Sequence, residues 1–298
     1  MAELRSLEIF YWTATLESFR RASERVNTTQ PAVSQRIAAL EQEFGAPLFE
    51  RRARSVTLTA TGRALLPYAE RFLALRAEMR AALATPETTT GILRLGVSDT
   101  IVQTWLARFV ERMSATYPGV AIDIAVDISP NMREALANHD LDLAFLVGPI
   151  TLPSLVNHPL CRVGIAWIAA PGLAVPDGPL GLADLLRQPI VTYPKNTAPY
   201  VELRDLILRS NLAPPRLYTS ASLATIVRMA VEGLGVCLIP PDVVRRELAA
   251  GTLRILTTDV TLSDITFTAT YANAPDCHLV GQAVAIAQSV AAEPDWRR

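Results

Sequence analysis

Lysine is almost missing from this 298-residue chain: Lys195 stands alone against 27 arginines. A coding bias toward Arg and Ala explains that ratio, yet it makes the single ammonium easy to follow. Cysteine is sparse too. Cys161, Cys237 and Cys277 are widely spaced and odd in number, which excludes a disulfide framework and fits reduced thiols in a cytoplasmic protein. Only Cys161 has a basic neighbour, Arg162, so redox sensing by a cysteine stays open but poorly supported. The three histidines, His139, His158 and His278, are isolated, and the adjacent Cys277-His278 pair lacks further ligand spacing; no metal site is expected. Long apolar runs are absent. Glu3, Arg5 and Glu8 interrupt the start where a signal peptide needs an apolar block, and Val163 to Ala170 stops at Pro171-Gly172, too short for a bilayer. The expectation is a cytoplasmic protein with no membrane partner. Signatures of catalysis are lacking as well. Gly233-Leu234-Gly235 has no third glycine and reads as a cap and turn, and no nucleophile elbow occurs. Neither an enzyme nor a cofactor is expected.

What is present begins with length. A chain of this size holds two or three domains, and with half its residues apolar each can bury a core. The formal charge of −1 argues against an indiscriminate polyanion binder. Residues 1–90 carry 12 arginines against 10 acids, while residues 91–298 carry 16 basic groups against 19 acids. Any polyanion recognition must therefore come from placed arginines.

Between Leu16 and Phe49 the sequence spells two short helices around a polar turn. Leu16 to Ser23 leads into the first, Val26-Asn27-Thr28-Thr29 makes the turn, and Gln30-Pro31-Ala32-Val33-Ser34-Gln35-Arg36-Ile37 opens the second. A hydroxyl at Thr29 followed by proline in the first turn is a strong helix start, because the first amides have no intrahelical partner. Val33, Ile37 and Leu40 recur at helical spacing and should face inward. Ala32, Ser34, Gln35 and Arg36 are left outside, short polar groups plus one arginine suited to base edges and phosphates in a major groove. A capped surface helix with ordinary polar residues is the alternative reading of this segment alone.

The flanks favour the first reading. Leu4, Leu7, Phe10 and Tyr11 form an amphipathic helix to pack beneath the motif. After Gly45-Ala46-Pro47 come Arg51, Arg52 and Arg54, then Val56 to Thr59 alternating as a short strand; such a wing lays arginines along a phosphate backbone or into a minor groove. Ala60 to Ala84 is a long helix in which Leu65, Ala69, Phe72, Arg76, Met79 and Leu83 are spaced as a dimerising seam, a helix packed on its own domain being the alternative, with Pro67 expected to kink it or mark an irregular first turn. Residues 85–91 have the composition of a hinge. Beyond them strands and helices alternate: Ile92 to Val97, Thr100 to Tyr117, Val120 to Val126, Asn131 to Asn138, Leu141 to Val147, then Val163 to Ala170 and onward to Gly281 to Ala292. Alternation of this kind implies parallel sheets covered by helices, here in two halves with a ligand cleft between strand ends and helix N-termini.

These runs resemble the LysR-type transcriptional regulators. The resemblance rests on Ser18-Phe19-Arg20-Arg21-Ala22, Thr29 to Ser34, Leu40-Glu41, Gly45 to Arg51 and Leu58-Thr59-Ala60-Thr61-Gly62, in that order, and continues diffusely through Leu141 to Ala144 and Glu232 to Val236. It implies an α/β protein: an N-terminal winged helix-turn-helix (1–58), a linker helix and hinge (59–90), and a periplasmic-binding-protein-like effector domain (91–298). The last divides into subdomain I (91–162 and 267–298) and subdomain II (163–266). It implies a homodimer or a dimer of dimers on double-stranded promoter DNA, with a small-molecule effector and RNA polymerase as further partners. Candidate DNA contacts are Arg20, Arg21, Thr29, Gln30, Pro31, Ala32, Ser34, Gln35 and Arg36, with Arg51, Arg52 and Arg54 in the wing. Many relatives place arginine directly after the serine; here Gln35 intervenes, so which of Gln35 and Arg36 reaches a base stays open.

Candidate effector contacts are Ser98, Asp99, Thr100, Val147, Lys195, Asn196, Thr197 and Ser222. Ser98-Asp99-Thr100 follows a strand and opens a helix, where free amides and hydroxyls favour a carboxylate; a plain N-cap is the alternative. Lys195 is either a charge for the same ligand or an exposed loop lysine. The expected effector is a small organic acid whose binding closes the cleft, respaces the winged domains and alters the DNA bend. Two other functions remain to be distinguished: a solute receptor whose winged segment serves assembly, and an architectural DNA protein indifferent to ligand.

Overall fold

The computed structural model describes residues 3–52, 55–83, 85–176, 178–275, 277–293 and 296. They form two compact units, residues 1–88 with 273–281, and residues 89–272 with 282–298.

The first unit opens with three helices: α1 (Leu4–Leu16), α2 (Phe19–Arg25) and α3 (Gln30–Phe44). A two-stranded ribbon, β1 (Phe49–Arg52) and β2 (Ser55–Leu58), and the long α4 (Ala60–Leu83) complete it. Ser18 caps α2 by accepting from the Arg21 amide at 3.2 Å. Thr29 caps α3 by accepting from the Ala32 amide at 3.4 Å, with Pro31 in the first turn. Phe10, Val33, Ile37, Leu40 and Leu48 are buried in one core, where the Phe49 ring lies 5.5 Å from Phe10 and 5.7 Å from Phe19. Glu41 ties α3 to the ribbon: its Oε1 accepts from the Leu48 and Phe49 amides at 2.8 and 3.3 Å.

Gly62 explains the small residue at the start of α4. A Cβ there would sit 2.2 Å from the Leu48 carbonyl oxygen and 2.8 Å from Leu58, so only glycine lets the helix lie this close to the ribbon. Thr59 caps the same end, accepting from the Gly62 amide at 3.0 Å and donating to the Pro47 carbonyl at 2.6 Å. The seam expected along α4 divides between two neighbouring faces. Ala69, Leu73 and Ala77 are buried, whereas Tyr68 (59%), Phe72 (52%), Leu75 (54%), Met79 (59%) and Leu83 (83%) are exposed. Arg76 interrupts the stripe because it reaches Glu8 of α1, 3.1 Å away. The helix runs through Pro67, which leaves the carbonyl four residues earlier without its amide.

The second unit begins with β3 (Thr90–Val97), α5 (Asp99–Thr104), α6 (Leu106–Thr116), β4 (Gly119–Val126), α7 (Ser129–Ala137), β5 (Leu143–Val147) and β6 (Leu155–Val163). It continues with β7 (Ala166–Ala169), α8 (Leu182–Leu186), β8 (Ile190–Thr192), α9 (Ala198–Arg209), β9 (Leu217–Thr219), α10 (Leu223–Val231) and β10 (Val236–Ile239). A 3-10 turn (Pro241–Val243), α11 (Arg245–Ala249), β11 (Arg254–Ile255), β12 (Ile265–Ala272) and α12 (His278–Ala291) follow. Two five-stranded sheets result, ordered β4-β3-β5-β12-β6 and β11-β7-β10-β8-β9. The chain leaves the first after Val163 and returns to it at Ile265, with β12 antiparallel to both β5 and β6.

Two elements differ from the sequence reading. The helix expected from Thr100 to Tyr117 is broken at Trp105, whose φ of −127° and ψ of 2° leave the helical region. That side chain is fully buried, 5.4 Å from the Phe145 ring, and packing it outweighs one more turn of helix. β6 begins at Leu155, upstream of the expected strand, and contains Pro159. It is an edge strand, where a missing amide goes unnoticed.

Candidate functional site

Two surfaces carry the polar groups singled out above, one on each unit. On the first, burying Val33, Ile37 and Leu40 turns the opposite side of α3 outward. Thr29, Gln30, Pro31 and Gln35 are exposed, and Ala32, Ser34 and Arg36 are half-buried. The Thr29 hydroxyl is engaged as the cap of α3. Arg36 donates to Glu3 at 2.6 Å, an exposed pair of little worth that a phosphate can replace. Arg20 pairs with Glu24 at 3.0 Å, and Arg21 is half-buried on the same helix. Arg51 and Arg52 lie on β1, in register with Val56 and Ser55. Arg54 falls outside the described residues.

On the second unit a cavity of about 210 Å³ lies where the N-termini of α5, α7, α9 and α10 converge. Amide-rich first turns of four helices border one space, and the carboxylates of Asp99 and Asp127 stand at the starts of α5 and α7 to offset them. Ser98, Asp99 and Thr100 line it from the end of β3, and Val147 from the end of β5. Asn196 and Thr197 approach from the loop before α9. Six of the eight candidate effector residues thus meet in one cavity. Lys195 is exposed beside it and does not line it. Ser222 also lies outside the lining; its hydroxyl caps α10 by accepting from the Thr225 amide at 3.3 Å.

The cavity's ionic character comes from residues the sequence reading passed over. Arg133, on the second turn of α7, is its one lining cation, and Asp127, just before α7, joins Asp99 as a lining acid. Asp127 accepts from the Ile128 amide at 2.7 Å and from Asn131 Nδ2 at 2.8 Å. Asp99 crosses between the two sheet layers: its Oδ2 accepts from the Leu223 amide at 2.7 Å, covering the first turn of α10. Tyr193 contributes a phenol whose pKa is raised well above its ordinary value by burial, with the Thr100 side chain opposing weakly. Thr100 is near enough to act on it but does not meet it in a formed hydrogen bond, so the Tyr193 hydroxyl keeps a spare donor. Asp127 had a legible signal, since it follows a strand and precedes a helix as Ser98 does. Arg133 had none.

Gly233-Leu234-Gly235 closes α10 as a cap: Gly233 sits at φ +71°, and its amide donates to the Ala230 carbonyl at 3.0 Å. Among the described residues no helix is long and apolar enough to cross a membrane, and no group of acids, histidines and cysteines is placed to hold a metal ion.

Comparison with known proteins finds a family model for each part of the chain. Residues 4–63 match the family described as bacterial regulatory helix-turn-helix protein, lysR family. Residues 86–276 match LysR substrate binding domain. The chain is 33% identical over 261 residues to the transcriptional regulator IlvR of Caulobacter vibrioides, spanning 83% of this chain and 84% of that one. It is 26% identical over 251 residues to GltR of Bacillus subtilis, spanning 84% of each. Its fold matches that of full-length LysG of Corynebacterium glutamicum with bound effector Arg. That match has a TM-score of 0.64 and 20% identity, and covers 97% of this chain and 98% of that one.

Proposed function

Because the chain belongs to the LysR family of bacterial transcriptional regulators, we propose that it binds promoter DNA as a homo-oligomer under control of a small organic acid in the cleft of its second unit. The observation that carries the DNA assignment is the split face of α3: Val33, Ile37 and Leu40 are buried while Gln30, Pro31 and Gln35 are exposed. In this reading Thr29 to Arg36 enter a major groove. Arg20 and Arg21 approach the phosphates beside it, and Arg51, Arg52 and Arg54 grip the flanking backbone. The bare stripe of Tyr68, Phe72, Leu75, Met79 and Leu83 supports dimerisation through α4, because an apolar face of that extent is seldom left to solvent. Pairing of dimers, work in the cytoplasm and contact with RNA polymerase complete the proposal.

LysG carries a bound effector Arg; an effector is assigned here to the cavity lined by Ser98, Thr100, Asn196 and Thr197. Arg133 takes the charge-pairing role first considered for Lys195, since it lines the cavity and Lys195 does not. Occupancy draws the two sheet layers together, changes the spacing of the DNA-binding units and so alters the bend they impose. The family's members are regulators, not enzymes, and no catalytic step is assigned.

A mobility-shift titration on the DNA beside the protein's own gene tests the proposal. Binding should weaken as salt rises, and Arg51→Ala or Arg52→Ala should lower the log–log slope by about one. Salt-independent binding, or none at low ionic strength, favours the receptor whose winged segment serves assembly and overturns the DNA assignment.

A further inference from the structure

The lining of the cleft is specific enough to name a ligand class; this step rests on the effector reading given above. Three charged side chains line the cavity, Asp99 half-buried and Asp127 and Arg133 exposed at its edge. None of the three is in an ion pair among the described residues. Asp99 and Asp127 each accept from one backbone amide and one side-chain amide, which leaves their charge without a counter-ion. Arg133 carries a full charge and five donors, and no acceptor meets them among the described residues. The buried Tyr193 hydroxyl is a further donor without a partner among the described residues. Between these groups the walls are hydrocarbon: Ile128, Val147, Ile150, Pro199, Ile265 and Phe267.

Each candidate class meets this lining differently. A dicarboxylate brings its second charge among two carboxylates and only one guanidinium, so it is repelled. A simple monocarboxylate pairs with Arg133 but brings no opposite charge to the aspartates, and covering the half-buried Asp99 without pairing it adds a desolvation cost. A cation alone meets the aspartates but gains nothing from Arg133, which stays solvated. A zwitterion gives every charged group an opposite, and an aliphatic substituent suits the remaining walls. The volume of about 210 Å³, room for on the order of seven waters, fits a molecule of that size.

We propose that the cleft binds a free α-amino acid with a short aliphatic side chain, its carboxylate on Arg133 and the Tyr193 hydroxyl, its ammonium on Asp99 and Asp127, and its side chain against the apolar wall. Asp99 then has two tasks, since the carboxylate that meets the ammonium also holds the first amide of α10. The ligand is thereby coupled to the juncture between the sheet layers.

Isothermal calorimetry on the full-length protein tests this with matched probes: L-leucine, L-valine, 4-methylpentanoate, 3-methylbutylamine and succinate. At least one of the two amino acids should bind. The probes lacking the amine or the carboxylate should bind at least tenfold more weakly, and succinate should give no heat. Arg133→Gln and Asp127→Asn, checked for folding by circular dichroism, should each weaken the amino acid by tenfold or more. Failure of both amino acids at 10 mM overturns the ligand class, as does equal or tighter binding of 4-methylpentanoate or succinate, while binding of either acid lost in Arg133→Gln keeps the cleft as the effector site. Binding of any probe that is unchanged in Arg133→Gln, Asp127→Asn and Thr100→Val overturns the effector reading of the cleft itself.

Discussion

The contact between Asp99 and the Leu223 amide joins residues 124 apart in sequence across the juncture of the two sheet layers, so removing it should be felt as cleft opening. A carboxylate accepting from a backbone amide contributes roughly 1.5–3 kcal/mol. Its position over the first turn of α10 adds about 0.3–1 kcal/mol from the helix dipole. Asp99 is only half-buried, so solvent screening brings the sum down to about 1.5 kcal/mol. That corresponds to about tenfold in the equilibrium between engaged and disengaged states. Asp99→Ala should therefore raise the hydrogen-exchange rate of the Leu223 amide about tenfold in the ligand-free protein. The Thr225 amide should be affected less, because Ser222 serves it independently at 3.3 Å. Asp99→Asn keeps an acceptor and loses the charge, and should fall between wild type and Asp99→Ala. The readout is amide-resolved exchange by NMR. Unchanged protection at Leu223 in Asp99→Ala would refute the reasoning, as it would mean that burial alone, not the carboxylate, holds that amide.

Gly62→Ala gains helix propensity but drives a methyl onto the Leu48 carbonyl. The net should be a loss of about 2 kcal/mol, seen as a fall of roughly 10 °C in the melting of the DNA-binding unit; a rise would mean that the close approach relaxes without cost. Glu8 is desolvated, which raises its pKa, but Arg76 and Arg5 outweigh this and hold it below the usual carboxylate range. A depressed folded-state value contributes stability above the unfolded-state pKa and loses it as pH falls through the folded one. Glu8→Gln should accordingly destabilise the unit to urea at pH 7, with the difference from wild type shrinking as pH falls through and below the ordinary carboxylate range; a pH-independent difference would show that packing, not charge, is lost. Burial pushes the Cys237 thiol up to about 12, so in the native state it should resist iodoacetamide at pH 8 while the urea-unfolded chain reacts. Native labelling of Cys237 in a peptide map would reopen thiol sensing at that position.

The parts of this molecule that were legible in its sequence are those specified within one or two helical turns. Thr29 with Pro31 starts α3, and Val33, Ile37 and Leu40 orient it, because capping and the 3.6-residue period are local properties. Strand-to-helix junctions were legible for the same reason, and Ser98, Thr100, Asn196 and Thr197 are found at such junctions lining the cavity. What escaped depends on distant chain. The break at Trp105 is imposed by Phe145, the buried face of α4 by α1, and the tolerance of Pro159 by the place of β6 at a sheet edge. Arg133 is the instructive omission. One of 27 arginines on an ordinary amphipathic helix carries no local mark, and its place in the cavity wall follows only from where α7 lies in the fold. Lys195 shows the converse: rarity made it conspicuous in the sequence, but a side chain acts on a cleft only if its backbone faces it, and in the fold this one lies beside the opening, exposed. Rarity of a residue type is a property of the genome; charge placed at a cavity wall is a property of the fold, and only the second constrains which ligand enters.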